Sequence, residues 1–289
     1  MATATFFVTT ARSGTQWLTR ALNRHFDDLL EARHEPVGYA YRPRRTLRDP
    51  AALERLRAEP AVAAHFDHIH DVLDERAYVE VGFPAYALAP LLRAEFGENL
   101  RLVQLVRHPV KVAASLVTHG WYCRGLREDI ARAVAPTPAD PGVTLKAYAA
   151  RWPAMTPFEK NLFYWYEVHR FGKEVAASGP PGGFARFRLE DLAAAPEARE
   201  ALRDFLGLPA RSGWSAAGQR RDDRFRAKTD EAIDPAAIAR HPEILALAHE
   251  LGYAPEEIDA AEFAARYVRS PLERLRAGLG RARRRIGLP

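Results

Sequence analysis

The sequence has little cysteine, little lysine and no long apolar run, and each shortage removes a class of protein. Cys123 is the only cysteine in 289 residues, which excludes an intrachain disulfide and a cysteine-based metal site. No apolar run approaches the roughly 18 residues of a membrane span, and no signal-like segment precedes the first β-rich run. A soluble, cytoplasmic protein is expected. Lysine occurs only at positions 111, 146, 160, 173 and 228, so the 42 Lys+Arg that outweigh 37 Asp+Glu are mostly arginine. The resulting net charge of +5 suits an anionic ligand, and suits a generally solvated surface no less. A Walker loop, G-x-x-x-x-G-K-[ST], is absent, and with it the usual machinery for γ-phosphoryl transfer with Mg²⁺.

What is present centres on residues 6–26, FFVTTARSGTQWLTRALNRHF. Phe6-Phe7-Val8 reads as a strand, the polar stretch around Gly14 as a turn, and the segment from Gln16 as a helix. Trp17, Leu18, Ala21, Leu22 and Phe26 fall on one face of that helix. Strand, small-residue turn and helix together aim backbone N–H groups and a helix N-terminus at an anion. Arg12, Ser13, Thr15 and Thr10 add side-chain donors there, and Arg12 could fork onto an oxyanion. The plain alternative is an ordinary βα turn.

Further strands are expected at Tyr78–Phe83, Leu100–Val106 and Phe184–Leu189. LRLVQLV at 100–106 hardly alternates, as fits a strand buried on both faces of a parallel sheet. Helices are expected over Asp49–Glu59, Pro84–Phe96, Pro109–Thr118, from Thr156 onward, after Glu190 and over His241–Leu251. Leu29–Tyr41 reads as an irregular return, broken by Pro36 and Gly38. The alternation of strand and helix argues a doubly wound α/β sheet, whose ligands bind at the carboxyl ends of strands, where Arg12 and Arg107 both fall. Residues 120–177 read as a helical insertion; the aromatic stripe Leu162, Phe163, Trp165, Tyr166 and Phe171 is assigned to packing. His65, His68 and His70 lack metal-ligand spacing and read as a polar helix surface, so no metal is expected. Arg42, Arg44, Arg45 and Arg48 form a basic patch read as solvated or substrate-facing. Ser212–Asp230 reads as a long loop of the lid or binding kind. Residues 268–289 form a basic tail, either a frayed terminus or a peripheral membrane contact.

Two stretches meet a known pattern. Thr9–Leu18 resembles the 5′-phosphosulfate loop of the sulfotransferases that use 3′-phosphoadenosine 5′-phosphosulfate (PAPS). Leu102–Ser115 resembles their 3′-phosphate motif, in which an Arg at a strand end and a Ser eight residues later hold that phosphate; here these are Arg107 and Ser115. Arg186–Leu192 and the helix to Pro209 are similar to the family's last strand and following helix. The resemblance departs at His108, where the family usually has Asp. Arg12 stands where many cytosolic members have Lys; the Arg form is similar to the carbohydrate, tyrosyl-protein and bacterial branches.

The resemblance implies a three-layer, P-loop-like parallel sheet of about four to five strands, with one sulfotransferase domain over 1–267. It implies PAPS as co-substrate, 3′,5′-ADP as product, no metal and a hydroxyl acceptor in a small molecule, carbohydrate or lipid. Two separated anion sites are needed, one for the 3′-phosphate and one for the 5′-phosphosulfate. Arg12, Ser13, Gly14, Thr15, Gln16, Trp17, Arg107 and Ser115 would hold the nucleotide, and Arg220, Arg221 and Lys228 would close over it. Arg12 would stabilise the bridging oxygen. Glu35, followed by Pro36, lies where those branches place a glutamate and is the expected base, with His34 next. Glu80 is a lesser candidate for the acceptor. Competing readings are a P-loop-like small-molecule kinase and a non-catalytic basic protein binding nucleic acid or membrane.

Overall fold

A computed structural model of the chain describes residues 2–214, 216 and 227–276. Arg220 and Arg221, most of the expected long loop and residues 277–289 of the tail lie outside the described residues. Five strands form one all-parallel sheet in the order β2-β3-β1-β4-β5. They are β1 (Ala4–Thr9), β2 (Leu30–Arg33), β3 (Ala77–Glu80), β4 (Leu100–Val106) and β5 (Phe184–Arg188). The helices in chain order are α1 (Thr15–Phe26), α2 (Pro43–Thr46), α3 (Pro50–Arg57), α4 (Pro60–Leu73), α5 (Ala89–Phe96) and α6 (Pro109–Val117). They continue with α7 (Glu128–Ala133), α8 (Pro157–Ala177), α9 (Leu189–Ala194), α10 (Pro196–Phe205), α11 (Pro242–Glu250) and α12 (Ala260–Tyr267).

The sheet is the middle of three layers, and strand periodicity assigns the faces. Phe6, Tyr78 and Leu102 point to one side, among Phe66, Ile69, Phe96, Leu162 and Phe163 of α4, α5 and α8. Phe7, Val79, Val81, Val103 and Leu105 point to the other, against Leu18, Leu22 and Phe26 of α1 and Leu192 and Leu202 of α9 and α10. Central β1 is buried along its whole length, with Phe6 and Phe7 shielded on opposite faces. Each such phenylalanine contributes about 1.5–3 kcal/mol of burial.

The expected strands and most helix starts are present. Asp49 caps α3 by accepting from the Ala52 N–H, and Thr156 with Glu159 forms a capping box on α8. Three differences matter. β2 lies inside the stretch read as irregular: it is a four-residue edge strand in which only Leu30 and Ala32 turn inward. Residues 83–88 form a 3-10 turn before α5 rather than its first turns. Trp214, at the start of the expected flexible loop, is 1% exposed and packs edge-on against Phe26 at 5.2 Å.

The basic patch is mostly internal wiring. Arg42 pairs with Glu59, Arg44 with Asp140 and Arg48 with Glu174, while Arg45 stays exposed. Of the three histidines read as a polar surface, His68 and His70 meet Glu31 and Glu95, but His65 is buried against Glu80. Among the described residues no helix is long and apolar enough to cross a membrane. At the start of the tail Leu272 and Leu275 are exposed.

Candidate active site

The turn after β1 is held in a conformation that few residues tolerate. Arg12 (φ 68°) and Gly14 (φ 77°) both lie in the left-handed region. At Gly14 the positive φ favours glycine, and a Cβ there would also come within 2.7 Å of Leu189 Cδ1, which would have to move aside. Gly14 is the N-cap of α1 and brings no side-chain acceptor to the first-turn N–H groups, whose positive end suits an anion. Thr10 and Ser13 bond each other through their hydroxyls at 2.8 Å. The Ala11 N–H donates to the Tyr164 hydroxyl at 3.1 Å, which fastens the turn to α8. Gln16 is exposed and Trp17 half-buried on the first turn of α1.

β4 delivers the second cluster. Arg107 follows its last residue, and Nη1 donates to the carbonyl of Arg12. The Trp165 indole N–H donates to the carbonyl of Arg107 at 2.8 Å. Ser115, 7% exposed on α6, accepts from Arg12 Nε at 3.1 Å. The two clusters, expected to form separated anion sites, therefore adjoin here, with Arg12 reaching across to the serine. Burial, with Arg107 close by, lowers the pKa of the Arg12 guanidinium, which still remains charged at any ordinary pH. Beside them, His119 Nδ1 lies 2.8 Å from the Ser115 carbonyl. The His108 N–H donates to Glu190 Oε1, and Glu190 Oε2 accepts from Tyr253 at 2.8 Å. Burial pushes the His108 imidazole down to about 4, so it stays neutral beside these arginines.

β2 supplies the third. His34 and Glu35 follow its end directly. His34 Nε2 is 3.0 Å from Thr15 Oγ1 and 3.4 Å from Glu35 Oε1, which joins the β2 exit to the head of α1. Burial lowers the His34 pKa, and Arg20 adds to the effect. Glu35 moves the other way. Burial raises its carboxyl from 4.5 to about 7, and the nearby Glu80 adds to this, while the Phe83 backbone N–H and Arg12 oppose. The backbone of Glu35 has φ 51°, and its side chain lies over Gly82, where a Cβ would meet Glu35 Cγ at 2.8 Å.

The remaining expected residues divide. Lys228 is described and pairs with Glu273 at 2.9 Å. Its neighbour Thr229 donates its N–H to the Tyr267 carbonyl at 2.9 Å. The end of α12 thereby comes near the cradle, close enough for Tyr267 and Arg266 to act electrostatically on Arg12. Glu80, considered for acceptor binding, is 0% exposed and enclosed by Tyr41, His65 and Tyr78, so no acceptor reaches it as the chain stands. Among the described residues no group of three His, Cys, Asp or Glu side chains is placed to hold a metal.

Sequence reasoning missed Tyr164, Trp165 and Gly82. Trp165 belongs to the aromatic stripe and Tyr164 lies within its span on α8; the stripe does pack, with Leu162, Phe163, Trp165 and Phe171 buried and Tyr166 half-buried. The polar ends of Tyr164 and Trp165 hold the turns at Ala11 and Arg107. A buried Tyr or Trp must place its O–H or N–H, and that requirement was the available signal.

No protein-family model matches the sequence, and no curated protein matches it. Solved structures do match. The sulfotransferase domain from the curacin biosynthetic pathway is similar at TM-score 0.52 and 15% identity, over 88% of this chain and 99% of that one. The sulfotransferase domain from the Synechococcus PCC 7002 olefin synthase is similar at TM-score 0.50 and 14% identity, over 88% and 95% of the two chains. At such identity the likeness is one of fold, and the chain has the sulfotransferase fold.

Proposed function

We propose that, on this sulfotransferase fold, the chain transfers a sulfuryl group from PAPS to the hydroxyl of an acceptor. One observation supports the reading above all: the carboxyl ends of β1, β2 and β4 bring together two fixed cations, a set of hydroxyls and one weakly acidic carboxyl. Arg12 and Arg107 supply the charge, and Arg12 Nε and Ser115 Oγ are 3.1 Å apart. Loop residues 10–15 carry no acidic side chain, so the donor set suits a phosphate or a sulfate.

In the reaction, the acceptor oxygen forms a bond to sulfur while the bond from sulfur to the bridging oxygen breaks. The electron pair of that bond leaves with the 5′-phosphate as 3′,5′-ADP. Arg12 stabilises the charge that grows on the bridging oxygen, at the head of α1. Glu35 takes the hydroxyl proton; a carboxyl near 7 is well matched to that transfer at neutral pH. His34 orients Glu35 against Thr15. Arg107 and Ser115 bind the 3′-phosphate, and Gln16 and Trp17 face the nucleotide from α1. Lys228 closes over it once released from Glu273, while Arg220 and Arg221, expected beside it, lie outside the described residues.

The test is thermal unfolding with 3′,5′-ADP and, separately, with ATP·Mg²⁺. At a hundred times Kd the first should add ~2.7 kcal/mol, a shift of several degrees. Stabilisation by ATP·Mg²⁺ with no response to 3′,5′-ADP would sink the proposal in favour of a kinase. A panel of hydroxyl acceptors with labelled PAPS then identifies the second substrate.

A further inference from the structure

We propose that Glu80 is a positioning residue for Glu35: a second, fully buried carboxylate that anchors the Glu35 turn and governs when Glu35 carries its proton. The inference rests on the sulfuryl-transfer reading only for what Glu35 does. The relation between the two carboxyls stands on geometry.

Glu80 is the last residue of β3 and pairs in register with Arg33 of β2. The Val81 N–H bonds the Arg33 carbonyl at 2.9 Å, so the two strands leave the sheet side by side. Glu35 is two residues beyond Arg33, and its Cγ occupies the space over Gly82, two residues beyond Glu80. Glu35 also opens the turn that leads to Tyr41, through the bond from the Gly38 N–H to its carbonyl at 3.0 Å. The Tyr41 hydroxyl donates to Glu80 Oε2 at 3.1 Å. Glu80 thus holds, through Tyr41, the segment that follows the Glu35 turn.

The chemistry around Glu80 is unusual for a structural carboxylate. Oε2 collects Tyr41 from the turn, His65 of α4 at 2.9 Å and Tyr78 of β3 at 3.2 Å. Oε1 is buried with no partner among the described residues. Two phenols and an imidazole form this set, and none is a fixed cation. Arg33 and Glu31, on β2, flank Tyr78 with opposite charges. A buried carboxylate that lacks a fixed counter-charge projects its field onto its neighbours at reduced screening. The neighbour at the strand exit is Glu35, whose proton it favours. Glu35 is therefore protonated more often than it would be without the Glu80 charge. Arg12, whose charge lowers the Glu35 pKa, shifts the balance back toward the ionised base.

The experiment titrates Glu35 by ¹³C-carboxyl NMR in the ligand-free protein and follows the Glu80 carboxyl resonance across the same pH series. In the wild type the Glu80 carboxyl resonance must inflect at the midpoint of Glu35; a Glu80 signal indifferent to that midpoint overturns the proposal. In Glu80→Gln, which keeps an oxygen for Tyr41, Tyr78 and His65 but drops the charge, the Glu35 midpoint should fall by about one pH unit. The acid limb of kcat/KM should move with it. A folded Glu80→Gln protein whose Glu35 midpoint moves by less than about 0.3 unit also overturns the proposal. Tyr41→Phe keeps the charge and loosens the turn, so kcat should drop several-fold while the midpoint stays. The wild-type measurement needs neither a variant nor PAPS. Coupled carboxyls without PAPS turnover would leave this proposal standing and remove the sulfuryl-transfer reading.

Discussion

Replacing Glu35 by Gln should leave a signature in stability as well as in turnover. The Glu35 carboxyl sits near 7 in the folded chain against 4.5 when unperturbed, chiefly because it is buried. A carboxyl raised in this way supports the folded state fully below 4.5, where it is protonated in both states. That support is lost as the pH rises through about 7, because folding then buries a charge. The interval from 4.5 to about 7, at about 1.36 kcal/mol per unit, caps the loss at ~3 kcal/mol. The side chain is 22% exposed, so residual solvation reduces this to ~2 kcal/mol. The glutamine of the variant does not titrate. Urea unfolding of both proteins from pH 4.5 to 8.5 should therefore show the variant gaining ~2 kcal/mol on the wild type across the series. Curves that stay parallel would refute the argument from burial. Turnover should fall by about 10²–10⁴ in the variant, while 3′,5′-ADP affinity holds. In the wild type kcat/KM should climb with pH through about 7 and then level.

Three further outcomes follow from the same geometry. Gly82→Ala puts a Cβ 2.8 Å from Glu35 Cγ and 3.2 Å from its backbone nitrogen, so a folded protein should bind nucleotide normally yet lose turnover; unchanged kcat would disprove the close approach. Gly14→Ala combines φ 77° with the contact to Leu189 and should cost ~1–3 kcal/mol in urea unfolding, together with nucleotide affinity. Trp165→Phe removes the donor to the Arg107 carbonyl and keeps the ring. Calorimetry should find 3′,5′-ADP affinity lowered by ~1 kcal/mol, about fivefold, and an unaltered Kd would mean that the indole bond does not hold Arg107.

The parts of the site legible in the sequence are those written as a local break in pattern. Phe6–Val8 followed by Arg12 and Gly14, and LRLVQLV followed by Arg107, are apolar strands that stop at a charge. Periodicity reads such breaks well. β2 escaped because LEAR is four residues long at the sheet edge, too short to alternate visibly, and Pro36 and Gly38 follow at once. His65 was read with its polar neighbours, yet it falls three residues after Val62 and four before Ile69, on the buried stripe of α4. Tyr164 and Trp165 carried the right signal for packing and none for what their polar ends touch, since partners more than fifty residues away leave no local trace. Glu80 closes an apolar strand, and nothing adjacent says that the sheet would bury it.

The pairing of β1 with β4 has a consequence for how the chain acquires its site. Thr9 Oγ1 bonds the Leu105 carbonyl across 96 residues of sequence, and Arg107 clasps the Arg12 turn just beyond. Parallel strands this far apart close a large loop before any contact rewards it, so their union is slow. An emerging chain passes through a long interval in which β1 and the Arg12 turn exist without Arg107, Ser115 or Tyr164. No contiguous fragment short of α8 can assemble the whole of the proposed anion grip. Nucleotide capture by a refolding or nascent chain would therefore time the docking of β4 and α8 onto β1, and a ligand added during refolding would reward only chains that had completed it.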